Sequence, residues 1–356
     1  MKTIMKIGFA ILLAGILVSS FQGAESTPAK VLLALSKRDR TLAIVDPASL
    51  KILAKIPVGP DPHEVIADAE GKFAYVSDYG GGAYHELSVV DLVEQKALPP
   101  IDLGPLSGPH GLVFAGGKVW FTAEGAKVIG SYDPASKKID WVLGTGQDRT
   151  HMIYVFDGLK LILTSNVASA TMTFIEKTAG RGFGPPPGQG GPPPGGRTGP
   201  PPGAQQVNWE ETVVPVGRGA EGFDVSHDGR EIWAANAQDG TISIIDVASK
   251  RVTETLAANV RGANRLKFTP DGKQVFVSSL GSSDLAIFDA ASHHEVKRVK
   301  LGHGAAGILM DADGSRAFVA CSPDNYVAVI DLETLEVVGR FEPGNDPDGL
   351  AWAVRP

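Results

Sequence analysis

Three of the chain's eight histidines, His63, His110 and His151, open successive copies of one repeated phrase. The same place in later copies holds Glu221, Asn264 and Ala306, and in a final partial copy Asp348. Grouped imidazoles and carboxylates can do three things. Neutral imidazoles ligate a metal at ~2.0–2.1 Å, with a carboxylate completing or orienting the shell. An imidazole titrating near neutral pH serves as general acid or base, or binds a small anionic or hydroxylated ligand. Polar groups also simply hydrate a water-filled opening. A packing position would hold Val, Leu or Gly, so ionisable groups at five of the seven places are not a packing pattern.

Neighbouring residues add charge to the same neighbourhood. Asp148 and Arg149 precede His151, Asp61 and Glu64 bracket His63, and Arg265 follows Asn264. Strand alternation predicts that Glu64 and Arg265 turn away from the reference side chains, so both rank below Arg149 as site residues. The run Tyr79-Gly80-Gly81-Gly82-Ala83-Tyr84-His85-Glu86 has neither the helix nor the Lys of a phosphate loop and reads as a hairpin or rim. His293-His294 falls in a solvated turn, and His303 in a corner beside Gly302 and Gly304. No nucleophile elbow, His-Glu-x-x-His, cysteine pair or dinucleotide fingerprint accompanies the histidines.

The elements that must position these residues are short strands recurring about every 42 residues, a period of stacked β-repeats. Twelve residues after the reference, a second strand carries Tyr75, Leu163, Trp233, Phe276 or Phe318. In the His110 copy the turn is two residues shorter, and Trp120 arrives early. A third strand then ends in an acid: Asp46, Asp91, Asp133, Glu176, Asp246, Asp289 or Asp331, placed to form Asx-type turns. Asp-Gly at 228–229, 271–272 and 313–314 supplies hairpin turns. The chain opens on a second strand near Val31 to Leu35 and closes on a first strand from Asp348 to Val354. Joining them completes one blade and removes the open edge.

Composition bounds the rest. Lys2 and Lys6 followed by the apolar run Ile7 to Val18 predict a signal peptide over residues 1–24, too short for the roughly 20 residues of a span. Its loss would take the formal charge from −7 to −9, which disfavours nucleic acid and anionic membranes. Cys321, the single cysteine, excludes an intrachain disulfide and reads as a small strand residue. Residues 182–203 hold nine Pro and nine Gly and predict a disordered or extended arm between the third and fourth strands of the fourth blade.

The phrases resemble the YVTN-type (YncE-like) β-propeller repeat of bacterial and archaeal extracytoplasmic proteins. Tyr75-Val76-Ser77-Asp78, Leu163-Thr164-Ser165-Asn166 and Trp233-Ala234-Ala235-Asn236 carry it, with Ile244-Ile245-Asp246 and Val329-Ile330-Asp331. The resemblance covers residues 31–356 apart from the Pro/Gly arm. It implies an all-β, seven-bladed propeller over residues 25–356, ring-closed by its C-terminal strand. The family includes binding, adhesion and surface-layer proteins, and related propellers act as lactonases or lyases. The expected protein is a periplasmic or secreted monomer that binds a small molecule, metal ion or protein partner at the mouth of its channel. His63, His110, His151, Glu221, Asn264, Asp348 and Arg149 form the expected site. Two alternatives stay open: a lactonase-like, metal-dependent hydrolase or lyase, and a non-catalytic scaffold. In the first, His63, His110 and His151 hold a divalent transition metal and Glu221 is the candidate base.

Overall fold

A computed structural model describes residues 27–179 and 207–356. The expected signal peptide and the Pro/Gly arm at 182–203 lie outside the described residues. Seven four-stranded antiparallel sheets form the blades. Blade 1 joins Lys30–Ser36, Thr41–Val45 and Ile52–Pro57 to the last strand, Pro347–Val354, which pairs with Lys30–Ser36. The expected closure is thus present. Blades 2 to 7 begin with Pro62–Ala67, Pro109–Ala115, Thr150–Val155, Ala220–Val225, Ala263–Phe268 and Ala305–Met310. These first strands and Pro347–Val354 contact one another in sequence around a closed ring.

Apolar burial between blades explains why copies must stack. Second and third strands are apolar on both faces because each is covered by a blade on either side. Trp233 of blade 5 is fully buried against Val275 and Val277 of blade 6, and Phe318 of blade 7 against Leu32 and Ala34 of blade 1. Six of the seven strand-ending acids form the expected turns; Asp246, for example, accepts from the Ser249 amide at 2.7 Å. Glu176 departs from them. Its strand runs on to Ala179, and its carboxylate pairs instead with Lys250. Cys321 is buried, as expected. No described helix is long and apolar enough to cross a membrane.

A second repeated device overturns one expectation. In every blade the ladder slips at the reference position, as where Pro62 faces Asp78 but Val65 faces Val76. Three residues on one strand therefore span two on the other, a β-bulge that breaks simple alternation. The residue after the reference can then also reach the channel. Four blades place Gly there, and a Cβ on Gly307 would stand 2.2 Å from the Asp348 carbonyl oxygen of the next blade. Close approach of the inner strands requires glycine at such points. The blades that carry Glu64, Met152 and Arg265 instead are exceptions within their own repeat.

Candidate functional site at the channel mouth

Hydroxyls on the second strands hold the bulges in place. Thr122 Oγ1 accepts from the Gly111 amide at 2.8 Å and donates to the His151 carbonyl at 2.7 Å. Ser165 accepts from the Met152 amide and donates to the Glu221 carbonyl, and Ser278 links the Arg265 amide to the Ala306 carbonyl. Each bridge fixes the reference residue of the next blade. These are buried, fully used hydroxyls, so the ring is rigidly presented.

All seven reference residues line one cavity of ≈ 140 Å³, together with Arg149 and with Lys37, Tyr79, Arg265 and Leu280. The residues expected to form the site are therefore neighbours. His63 and His110 have ring centroids 4.8 Å apart, and His110 and His151 3.7 Å apart. The Tyr79 ring packs 4.7 Å from His63 and 5.4 Å from His110. His303 is instead an exposed residue paired with Asp324, and His293 pairs with Glu254 at 2.7 Å while packing on Trp233.

Each imidazole has a different setting. His63 Nδ1 donates to the Asp61 carbonyl at 2.9 Å, which leaves Nε2 with a lone pair in the neutral ring. His151 Nδ1 donates to Glu124 Oε1 at 2.5 Å, while its Nε2 lies 2.8 Å from Glu221 Oε2 without hydrogen-bond alignment. His110 is 2% exposed, and its Nδ1 is buried with no hydrogen-bond partner.

Charge separates the rings further. Burial drives His110 well below the usual histidine range, helped by the positive charges of its neighbours, so it is neutral. Burial also opposes a charge on His151, but Glu221 and Glu124 outweigh it and raise the imidazole above its usual range. Burial works against Glu221 too, yet His151, Arg265 and Arg149 hold its carboxyl down to about 2. Asp348 is lowered in the same way, with Lys37 at 3.1 Å overcoming burial. A neutral imidazole thus lies, tilted, 3.7 Å from one that two carboxylates flank.

Glu124 was not foreseen. It also accepts from the Tyr79 hydroxyl at 2.7 Å and approaches Arg149 Nε at 3.4 Å. Burial and the Glu124 hydrogen bond push the Tyr79 phenol up to about 12. Lys37, Tyr79, Glu124 and Leu280 each follow immediately on the second strand of their blade. Applying the register to that next position would have found Lys37, Tyr79 and Leu280, and Glu124 only once the two-residue shorter turn of its blade is allowed for. Arg265 and Glu64 correct the reading from alternation: Arg265 is buried and pairs with Glu64 between blades 6 and 2. The bulge turns both inward.

Fold and site define a propeller with a chemically specialised channel mouth. Residues 206–314 match the model described as YNCE-like beta-propeller, the kind of repeat that the phrases resemble. No curated protein matches the sequence. Among solved structures, a functionally unknown protein from Desulfotomaculum acetoxidans is similar at TM-score 0.70 and 14% identity, over 92% of this chain and 99% of that one. A proposed 6-phosphogluconolactonase from Bacteroides fragilis is similar at TM-score 0.70 and 13% identity, again over 92% and 99%. Hydrazine synthase from Kuenenia stuttgartiensis is similar at TM-score 0.63 and 16% identity, over 83% and 91%. At these identities the likeness is one of fold.

Proposed function

We propose that this protein recognises a small polar ligand at the channel mouth, through His63, His110, His151 and Glu221. The observation that carries the reading is the convergence of three imidazoles from consecutive blades on one cavity. Two have a ring nitrogen engaged by a carbonyl or carboxylate, an arrangement that fixes orientation before a ligand arrives. Arg149 and Lys37 supply positive charge at the rim, while Ala306 and the 53% exposed Leu280 supply an apolar side. Such a mouth suits a compact hydroxylated or carboxylated molecule with one apolar flank. The leader-like residues before position 25 support action outside the cytoplasm, in the periplasm or beyond it.

A thermal-shift panel of small hydroxy acids, sugars, lactones and carboxylates tests the reading. At least one class should raise the melting temperature of the wild type and leave a His110→Ala/His151→Ala variant unmoved. A panel that moves both proteins alike would remove the mouth as the binding site.

A further inference from the structure

The geometry points to a divalent transition-metal centre in the wall of this mouth, built on His110, His151 and Glu124. The inference rests on the mouth being the binding site and adds what the ligand meets there. His110, His151 and Glu124 present donor atoms within 4.8 Å of one another, and all three are buried. Among the described residues no other set of His, Cys, Asp and Glu gathers in this way. His63 stands outside the cluster, so the centre is displaced from the three-histidine set toward blades 3 and 4.

A second observation is independent of the clustering. His110 Nδ1 is buried without a hydrogen-bond partner, whereas His151 Nε2 meets Glu221 Oε2 at 2.8 Å. An unsatisfied buried polar atom costs about 1–3 kcal/mol, so a bare nitrogen on a ring that neighbours His151 and Glu124 points to a ligand for it. Nor does the scaffold need imidazoles there, since Ala306 fills the homologous place in blade 7 and is equally buried.

Donor type selects the ion. Two imidazoles and one carboxylate suit zinc, iron, copper or nickel, whereas calcium and magnesium take mainly oxygen. Ligands around a metal at ~2.1 Å stand closer together than 4.8 Å, so side-chain rotations of about 1 Å would complete the site. Tyr79 and Arg149, both on Glu124, are placed to orient that carboxylate. Glu221 lies beside His151, and the cavity offers room for a further ligand from solution.

The test uses the full chain purified without a histidine tag and stripped with chelator, then titrated with Co²⁺ by visible absorption and with Zn²⁺ by calorimetry. One equivalent should bind with a nitrogen–oxygen cobalt spectrum. His110→Ala and His151→Ala should each weaken binding at least 100-fold, and Glu124→Gln about tenfold, while His294→Ala in the surface turn should change nothing. Circular dichroism confirms that each variant is folded. Absence of binding to folded wild type overturns the inference, as does binding that survives His110→Ala and His151→Ala. If stripped protein takes up a small ligand but no metal, the inference fails and the recognition reading stands. If metal binds through these residues while no panel ligand does, the reverse holds.

Discussion

Blades 2 to 5 and blade 7 build the same inner strand, bulge included, yet turn different chemistry toward the channel. His63, His110, His151 and Glu221 fill the reference place in the first group, and Ala306 fills it in the other. The next register position contrasts as sharply: Glu124 meets His151 in blade 3, whereas Leu280 is exposed in blade 6. Because blade 7 forms its bulge around alanine, the scaffold does not depend on ionisable groups there. What distinguishes the polar arc is therefore available for binding. The molecule carries its own controls, since any residue can be exchanged for its counterpart in another blade.

The largest effect is expected at the ion pair of buried Arg265 with half-buried Glu64. Arg265→Met, the residue type found at Met152, leaves Glu64 uncompensated and should cost about 3–5 kcal/mol in chemical denaturation. Adding Glu64→Met should recover most of that loss. Equal instability of the single and double variants would mean that the pair itself holds the ring.

Asp78 offers the next contrast. At the same place Asn166 and Asn236 donate to Thr173 and Ser243, whereas Asp78 faces Glu86 and keeps one buried oxygen unpaired. Burial raises its carboxyl from 3.8 to about 7. An acid raised on folding destabilises the fold as pH climbs past its free value, and the penalty is complete above its folded value. Asp78→Asn should thus leave stability unchanged near pH 4 and raise it by about 2–4 kcal/mol above pH 7. A gain independent of pH would refute the assignment.

Smaller effects follow. Thr122→Ala copies blade 5, where Ala235 stands, and removes the bridge to the His151 carbonyl. Two lost hydrogen bonds should cost about 1–2 kcal/mol and weaken ligand binding with it. Leu280→Ala copies Ala237. It should shift stability by less than about 0.5 kcal/mol, and only ligands with an apolar flank should bind it less well.

Much of this was legible in the sequence because repetition converts spacing into position. Offsets from His63, His110 and His151 gave the blades, the closure of Pro347–Val354 onto Lys30–Ser36, and a single converging ring. Glu64 and Arg265 were misjudged because a period of two assumes an unbroken ladder, and the glycine that marks the bulge in four other blades is missing from these two. Glu124 stayed hidden because its partner is set by the relative placement of two blades. The shorter turn of blade 3 also displaced it from simple register. The acid at Glu176 looked like its six counterparts, but its strand continues to Ala179.

The central claim meets its most direct test in a calorimetric titration of the strongest panel ligand into a His63→Ala/His110→Ala/His151→Ala protein, which remakes three blades in the image of blade 7. The account predicts a folded propeller that no longer binds. Affinity within threefold of the wild type would contradict it.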